Sequence, residues 1–484
     1  MSQSLSRRRL LGFGVGATLG TVILAACSSG TATPTAASSA SSAGSAAAKP
    51  TTASSTSSQA APATQAPSAA AAVTLRLMDF AGVGWEQDPK FMKEFMAKNP
   101  SITVKEEPTI YAQMFQKCLT LGATGTLADL FAGHNKWMPY LDYKQVCLEL
   151  DPLIKEHADI NFSDIFPSVI ADARGIGAAG KLYVLPTVLH PGGNAIVIFN
   201  NDLLDKAGVK PPSSSDWSIT DFEAIVRKTA SPKDQIFGTN VILNSPLYAD
   251  QVTRSWGADP TKPDESSWLL SKDGKKQQLD MPEVKAGFEW YWKLIKDGLV
   301  PTSDIAPPNT PGGDFFIAGK LATTTNIVGQ YVYYLKTIKD KFKFSAVLWP
   351  KGPHGYRGSC LSYNTYSIYS KTKNPEQSFG LLNELTGTAI GQWAAVVGES
   401  EPYARYTVWS DPNLWKVNPV TKDAGEWLKA GVDPFPQPDN LRFTQWLDAW
   451  TQNTSKYLDG KEDWNQMYAH TQKACQDILD QPKP

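Results

Sequence analysis

The sequence lacks an excess of charge of either sign, and this removes one broad class of partners. Lysine and arginine together number 46, aspartate and glutamate number 47, and the formal net charge is −1. A surface that binds nucleic acid needs a positive field that attracts phosphates. The composition therefore gives no support for a nucleic-acid partner.

The short motifs of common catalytic and metal sites are also missing. There is no G-x-S-x-G elbow, P-loop or H-E-x-x-H helix, and the five histidines show no metal-ligand spacing. Residues 175–180 match a dinucleotide-binding glycine pattern, but they precede a strand instead of following one, so we interpret them as a flexible turn. Because acidic residues are numerous, a glycosidase pair of carboxylates stays open as an alternative. We predict a protein that is not an enzyme and that has no cofactor and no metal.

Only one long apolar run is present, and it lies at the N-terminus. LLGFGVGATLGTVILAA covers residues 10–26, directly after three arginines, and is slightly short for a membrane helix of about 20 residues. A basic start, a short apolar middle and small residues at the end indicate a signal peptide over 1–26. Its arginines resemble a twin-arginine export signal, with the general secretory route as the alternative. The sequence LAAC at 24–27 looks like a bacterial lipobox, which predicts that Cys27 carries a lipid.

The next segment, 27–72, predicts a disordered tether. After Cys27 it consists almost wholly of alanine, serine, threonine, proline and glycine, without an aromatic or acidic residue. Such a segment cannot bury enough apolar surface to offset the entropy lost on ordering. The remaining chain, 73–484, is too long for one ordinary domain and suits two. We therefore expect a body tethered to the outer face of the bacterial cytoplasmic membrane.

Four cysteines follow Cys27, and an even number outside the cytoplasm permits disulfides. Cys118 with Cys147 is the preferred pair, and Cys360 with Cys475 is a weaker one. The alternative is that these residues are small buried hydrophobic side chains. Export by the twin-arginine route, which carries folded proteins, favours that alternative.

The first part of the body alternates between strand and helix patterns. Residues 73–78 and 102–104 read as strands, a helical spacing separates them, and a short buried strand at 128–132 opens into the loop GHNKW. Strands that alternate with helices indicate a parallel sheet, in which ligands bind beyond the carboxyl ends of the strands. The loops at 82–85 and 134–137 are therefore predicted to share one rim.

Short stretches mark the body in a characteristic order. They are ADLF at 128–131, GKLYVLP at 180–186, FNNDLLDKAG at 199–208 with a P-P-x-x-x-x-W sequel, FIAGKLA at 316–322, PKGP at 350–353, EPYAR at 401–405 and LDGK at 458–461. Their order and spacing resemble the extracellular solute-binding proteins of ABC importers, in particular the family 1, oligosaccharide-binding type. No single stretch is specific, but the resemblance covers essentially the whole body.

The resemblance implies a two-lobed α/β fold of the periplasmic-binding-protein kind (type II, Venus flytrap). Each lobe is then a mostly parallel sheet flanked by helices, with hinge crossovers near Asn194, Val347 and Lys373. Lobe 1 would comprise 73–194 and 347–372, and lobe 2 would comprise 195–346 and 373–484. A solute would bind in the cleft between the lobes and favour their closure by a hinge motion.

The resemblance also implies a function and a set of ligand contacts. We expect a monomer that captures a carbohydrate, most simply an oligosaccharide, and delivers it to the transmembrane subunits of an ABC permease. Aromatic rings suit the apolar faces of sugars. The expected ligand-binding residues are Trp85, Asn135, Lys136, His190, Asn194, Asn244, Tyr248, Trp256, Asn326, Gln330, Tyr331, Glu401 and Arg405.

Alternatives remain for individual residues and for the solute. The tryptophans and Tyr331 could pack in the core, Trp137 is a weaker candidate for the same reason, and Arg405 could form a structural salt bridge. The same fold could bind a glycerophosphodiester, a polyamine or an anion, and a secreted enzyme acting on a polysaccharide is a third hypothesis. Since the expected cleft loops offer mainly Lys136 as a cation, a neutral ligand is favoured over a phosphate.

Overall fold

The computed structural model describes residues 72–81, 89–157, 160–177, 180–257, 268–305, 312–397, 401–430 and 438–484. The predicted signal peptide, Cys27, the tether and Trp85 lie outside these residues. Within them, no helix combines the length and the apolar character needed to cross a membrane.

The first sheet has five strands in the order β2-β1-β3-β8-β4. The bounds are β1 Val73–Met78, β2 Ile102–Glu106, β3 Leu130–His134, β4 Leu185–His190 and β8 Ser362–Ile368. Strand β1 pairs in parallel with β2 and β3, whereas β8 runs antiparallel to β3 and β4. Every residue of β3, β4 and β8 is buried, as expected for central strands covered on both faces.

The second sheet has three strands in the order β6-β5-β7. Their bounds are β5 Ile196–Asn200, β6 Thr323–Asn326 and β7 Phe344–Leu348. Both pairings are antiparallel. The prediction of a mostly parallel sheet is therefore wrong for this half of the molecule, and the first sheet is mixed.

The antiparallel strands are those that begin where the chain crosses between the sheets. Strand β5 starts six residues after β4 ends, and its first residue, Ile196, pairs with Asn326 and Leu348 at the ends of β6 and β7. Strand β8 starts after β7, and its Ser362 pairs with His190 at the end of β4. A strand that begins at the end of the sheet where its neighbouring strands finish must run antiparallel to them. The positions at which the chain crosses between the sheets thus determine both the mixed strand directions and which strand ends face the other sheet.

Helices flank both sheets. Those of the first half are α1 Pro89–Lys98, α2 Tyr111–Thr124, α3 Met138–Tyr143, α4 Asp151–His157, α5 Pro167–Ile176, α6 Asn201–Lys206, α7 Ile219–Thr229, α8 Pro246–Arg254 and α9 Pro282–Lys296. The remainder are α10 Gly312–Ile317, α11 Gln330–Ile338, α12 Pro375–Leu385, α13 Thr388–Val396, α14 Tyr406–Trp409, α15 Pro412–Val417, α16 Val420–Lys429, α17 Phe443–Leu458 and α18 Trp464–Leu479. Helices α1, α2, α5 and α12 contact the first sheet, and α6, α10 and α16 contact the second.

Local sequence explains where individual helices begin. Helix α7 starts after Ser218, whose hydroxyl accepts from the Asp221 backbone N–H while the Asp221 carboxylate accepts from the Ser218 N–H. Asp463 and Gln466 form the same reciprocal capping box at α18. Each box satisfies two backbone donors that a helix start otherwise leaves without a partner.

The late part of the chain returns to the first sheet before it joins the second. Helix α12 contacts β8, and Glu376 on α12 pairs with His157 on α4 at 2.6 Å. Thr388 at the start of α13 donates to Asp164, whereas α16 contacts β7. Parts of 375–397 and 401–409 thus pack beside the first sheet, and the predicted lobe boundaries and the crossing near Lys373 stay predictions.

The four cysteines of the described residues are buried and form no disulfide, so the pairs Cys118–Cys147 and Cys360–Cys475 offered by the sequence are not formed. Burial raises the pKa of Cys118 and of Cys475 to about 12. A thiol with so high a pKa stays protonated and packs as a small apolar side chain. For Cys118 and Cys147 the structure shows the alternative that the sequence left open, two small buried hydrophobic side chains.

A buried carboxyl group ties the end of β1 to β8. Asp79 follows β1 and accepts hydrogen bonds from the Tyr366 hydroxyl and from the Phe80 backbone N–H, both at 2.7 Å. Burial raises the pKa of Asp79 to about 7, although both hydrogen bonds act to lower it. The folded protein therefore holds a proton on Asp79 at a pH where an unfolded aspartate, with a pKa near 3.9, is ionised.

This proton predicts that the protein becomes less stable as the pH rises. The contribution of Asp79 is full below about pH 4 and is lost as the pH passes through about 7. Asp79→Asn keeps one acceptor oxygen for the Phe80 N–H, replaces the other oxygen with an amide group that can donate to the Tyr366 hydroxyl, and does not titrate. Between pH 5 and pH 8 the unfolding free energy of the native protein should fall by about 2–3 kcal/mol relative to the variant. Urea unfolding of both proteins at several pH values measures this difference, and parallel pH profiles would contradict it.

Candidate functional site

A cavity of about 430 Å³ lies between the facing strand ends of the two sheets. This volume is within the range of roughly 300–1,000 Å³ that is typical of small-molecule sites. The described residues that line it are Tyr111, His134, Trp137, His190, Gly193, Ser245, Leu247, Tyr248, Ile327, Cys360, Ser362, Asn364, Phe443 and Leu447.

The topology explains why these residues meet. His134 and His190 are the last residues of β3 and β4, and Ser362 is the first residue of the antiparallel β8. The three residues therefore lie together at one end of the strands of the first sheet. On the other side, Gly193 belongs to the crossing into β5, and Ile327 follows the end of β6. The cavity therefore lies beyond the carboxyl ends of β3 and β4, which is where ligands bind in open α/β sheets.

Aromatic rings form one wall of the cavity. The Trp137 ring centroid lies 4.7 Å from that of Tyr111, 5.6 Å from that of His134 and 6.4 Å from that of Phe80. The Tyr111 side chain is 41% exposed, although the protein around it is dense enough to raise the pKa of its hydroxyl by burial. These packed rings present flat apolar faces at a low cost in conformational entropy.

The polar groups on the cavity wall include a histidine that burial keeps neutral. His134 Nε2 lies 2.8 Å from the Ser362 hydroxyl, and burial lowers the pKa of His134 to about 3, with His190 and Lys136 acting in the same direction. His134 is therefore a neutral imidazole at physiological pH. Among the described residues that line the cavity, there is no aspartate, glutamate, lysine or arginine.

Of the residues predicted to bind ligand, the structure brings His190 and Tyr248 to the cavity. The first ends β4, the second lies on α8, and the pKa of Tyr248 is raised by burial and by the nearby carboxylate of Glu401. Trp85 lies outside the described residues. The role of each predicted position in binding stays a prediction, and its place in the structure is as follows.

Asn135 and Lys136 lie behind the cavity wall with protein partners of their own. The Asn135 amide donates to Asp172 at 3.0 Å. The Lys136 ammonium, which is 1% exposed, pairs with Asp439 at 2.7 Å. Burial alone would lower the pKa of Lys136, but the charges of Asp439 and Asp172 and the hydrogen bond to Asp439 raise it. The positive charge of Lys136, which the sequence analysis assigned to ligand binding, is thus compensated by carboxylates of the protein.

Asn194 anchors the segment between β4 and β5, in which the chain first passes from the first sheet to the second. Its amide donates to the carbonyl oxygens of Ile242 and Tyr248, and its Oδ1 accepts from the Ile242 N–H and the Thr325 hydroxyl. Its backbone N–H donates to Gln251 at 2.6 Å. These partners use the hydrogen-bonding capacity of the side chain, so Asn194 holds the crossing instead of facing the cavity.

Five further predicted residues do not line the cavity. Trp256 packs in the core against Trp290, with ring centroids 5.1 Å apart, and Tyr331 packs edge-on against Phe344. The Asn326 side chain accepts from the N–H of Ile327, which does line the cavity. Gln330 begins α11, and the carbonyl of Asn244 accepts from Thr451 on α17.

Glu401 and Arg405 are both buried but differ in position. Glu401 accepts from the Gly329 N–H at 2.6 Å, and the same oxygen lies 3.6 Å from His190 Nδ1. Arg405 donates to the carbonyl of Thr386 and lies 3.5 Å from Asp164. Arg405 therefore takes the structural role that the sequence left as its alternative, whereas Glu401 supports a side chain of the cavity wall.

Sequence reasoning missed most of the cavity wall. Tyr111, Ser362, Asn364, Phe443 and Leu447 were not among the predicted residues. A signal existed for Tyr111, which starts the helix after the second strand, at the rim already predicted. None existed for the β8 residues or for α17, because their position depends on the direction of β8 and on long-range packing.

One group of possible metal ligands lies at the surface among the described residues. Ligand atoms of Glu156, His157 and Glu376 lie within 4.8 Å of one another, and all three side chains are exposed. His157 already pairs with Glu376, and none of the three lines the cavity. The group is a surface cluster separate from the candidate site.

A family profile matches most of the described chain. Residues 90–398 match the profile described as bacterial extracellular solute-binding protein. A curated relative, a putative binding protein of Brucella abortus, is 25% identical over 299 residues, which cover 60% of this chain and 66% of the relative. A Brucella suis protein matches equally. The alignment thus spans just under two thirds of the length of these relatives.

Solved structures show a similar fold. An ABC substrate-binding protein of Listeria monocytogenes in complex with cycloalternan is 17% identical with a TM-score of 0.67, over 84% of this chain and 97% of that one. The GacH receptor of Streptomyces glaucescens, solved unliganded and with acarbose, is 18% identical with the same TM-score, over 84% and 98%. A solute-binding protein of Agrobacterium vitis with D-mannitol is 20% identical with a TM-score of 0.65, over 84% and 97%. These likenesses confirm the two-lobed α/β fold.

The ion pair between Lys136 and Asp439 is predicted to stabilise the protein. Asp439→Asn leaves a buried ammonium group with less compensation, which should lower the unfolding free energy by about 1–3 kcal/mol. This is less than the roughly 3–5 kcal/mol of a fully buried pair because Asp439 is 31% exposed. The matched control is Asp216→Asn, which breaks the exposed pair with Lys351 and should change stability little. Urea unfolding compares the variants, and equal losses would contradict the prediction.

Proposed function

The chain belongs to the bacterial extracellular solute-binding proteins, and on this basis we propose that it captures an uncharged carbohydrate between its two sheets and delivers it to an ABC permease. The observation that carries the proposal is the composition of the cavity. Aromatic faces and polar hydrogen-bonding groups converge there, and its described lining residues include no aspartate, glutamate, lysine or arginine. Sugars have apolar C–H faces and polar hydroxyl edges, and this lining complements both.

The solved relatives support a carbohydrate as the solute class. Proteins of the same fold were crystallised with cycloalternan, acarbose, D-mannitol and α-D-tagatose. All four are polyhydroxylated compounds. The cavity volume of about 430 Å³ is at the small end of the usual range, which favours a ligand of one or two rings over a long oligosaccharide.

The alternative solutes are less well matched. A phosphate-bearing or other anionic solute needs cations or helix N-termini around it, but Lys136 is already paired with Asp439. A polyamine needs carboxylates, and the described lining has none. The absence of carboxylates from the described lining also disfavours glycoside hydrolysis, which requires two carboxyl groups flanking the glycosidic bond.

Capture would use both sides of the cavity. His190 and Ser362 come from the first sheet, whereas Ile327 and Phe443 come from the second sheet and from α17. A ligand that contacts both sides favours the closed arrangement by its difference in affinity for the closed and open states. The permease would then recognise the closed form.

The predicted lipid anchor fits this role. A receptor tethered through Cys27 by a long polar segment can sample solute above the membrane and reach a permease within it. We propose that it acts as a monomer outside the cytoplasmic membrane.

Replacing Cys27 tests the anchor. Cys27→Ala in the full chain, expressed in a bacterium with a lipoprotein pathway, should move the protein from the membrane fraction to the soluble extracytoplasmic fraction, because the thioether to the lipid cannot form. Cys360→Ala is the matched control and should stay with the membrane. Retention of the Cys27→Ala protein in salt-washed membranes would show that another segment anchors it.

A solute panel tests the binding function. For the mature chain (27–484, with Cys27→Ala), glucose, maltose, D-mannitol or tagatose should change tryptophan fluorescence because Trp137 lines the cavity. A bound sugar should also raise the melting temperature, with a stabilisation of about 2.7 kcal/mol at 100 times Kd. Glucose 6-phosphate, glycerophosphocholine and spermidine should have no effect. A response to one of these charged solutes and to no sugar would replace carbohydrate with that solute class.

A further inference from the structure

One side chain on the cavity wall holds a buried acceptor without a partner. Asn364 is the third residue of β8, lines the cavity and is 3% exposed. Its Oδ1 is buried and accepts no hydrogen bond from the residues that the structure describes. A desolvated amide oxygen without a donor is unfavourable, and because Asn364 lines the cavity a ligand there can supply the missing donor.

The strand position explains why this side chain faces the cavity. The Asn364 backbone pairs with His134 at the end of β3. Successive side chains on a strand point to opposite faces, so Ser362 and Asn364 share a face while Thr365 does not. Both Ser362 and Asn364 line the cavity, and Thr365 is absent from its wall. The Ser362 hydroxyl is already engaged by His134 at 2.8 Å.

The two sides of the cavity differ in polarity. The side of the first sheet contributes the polar side chains of His134, His190, Ser362 and Asn364. The opposite side contributes mainly apolar ones, namely Leu247, Ile327, Phe443 and Leu447, with Ser245 and the hydroxyl of Tyr248 as its polar groups. The polar side chains therefore favour a hydroxyl-bearing edge of a bound ring toward β8, and its apolar surface can face α17 or the rings of Tyr111 and Trp137.

We propose that Asn364 is a specificity-determining residue, whose carboxamide binds one hydroxyl group on the edge of a sugar ring facing β8. The inference rests on the proposed function and assigns the hydrogen bond by which the site selects among uncharged sugars. If the carboxamide is rotated by 180°, Nδ2 takes the place of Oδ1 and still requires a polar partner, so either orientation selects a hydroxyl group. A sugar that lacks this hydroxyl leaves the carboxamide desolvated and unpaired.

The test compares isosteric replacements on neighbouring positions of β8. Asn364→Leu keeps the side-chain shape and removes both polar atoms. Thr365→Val is the matched control, since Thr365 is buried with an unpartnered hydroxyl of its own and does not line the cavity. Calorimetry of the mature chain with glucose, maltose, D-mannitol and tagatose identifies the best sugar probe for the native protein. The Kd for that probe should rise about 10- to 100-fold in Asn364→Leu and change little in Thr365→Val.

Single-deoxy analogues of the same probe identify the interaction. One analogue should bind the native protein about 10- to 100-fold more weakly than the parent sugar, yet bind Asn364→Leu no more weakly than the parent does. Such non-additivity occurs only if the missing hydroxyl and the missing carboxamide are partners. Asn364→Ser, which shortens the polar side chain, provides the same comparison if the leucine variant does not fold, as judged by its melting temperature.

The outcomes separate the two proposals. Unchanged affinity of both folded Asn364 variants for the probe, or strictly additive losses for every deoxy analogue, would overturn the role of Asn364 while leaving sugar binding intact. If the native protein binds none of the four sugars, the proposed function itself fails.

Discussion

A lysine ammonium buried inside a protein must be matched by a negative charge, and the cleft of this protein is arranged around one such match. The Lys136 side chain starts from the loop after β3, and its partner Asp439 lies four residues before α17. Phe443 and Leu447, in the first two turns of α17, line the cavity. The ion pair therefore connects the first sheet to the helix that covers the cavity from the other side.

This pairing also sets the character of the site. Asp439 and Asp172 compensate the positive charge of the buried Lys136, and Lys136 is not among the described lining residues of the cavity. Burial keeps His134 neutral as well. What remains at the described wall is a set of rings, hydroxyl groups, imidazoles and one carboxamide, which can distinguish uncharged polar compounds by shape and hydrogen bonding. A cavity with these groups is suited to a neutral solute and offers little to an ionic one.

Much of the architecture could be predicted from local sequence. Alternating strand and helix patterns over 73–134 gave the β1-α-β2-α-β3 unit, and its rim is where the cavity lies. His190 and Tyr248, named from the sequence, line this cavity, and their role in binding stays a prediction. Strand direction could not be predicted in the same way, since β5 and β8 run antiparallel because of where the chain crosses between sheets. The cysteines show a related limit, because an even count permits pairing but only packing decides whether two thiols meet.

The sequence alone determined the export and lipid-anchor prediction and the rim on which a solute would bind, because these depend on composition, short motifs and periodicity, which are local. The class of the protein and its two-lobed architecture followed from the resemblance of the chain to a known family. The tertiary structure decided which side chains face that solute. Lys136 and Asp439 are 303 residues apart, and Asn194 and Thr325 are 131 apart, so whether a polar side chain has a protein partner depends on distant residues. Asn364 differs from Asn194 only in this respect, because folding brings partners to one and leaves the other facing the cavity.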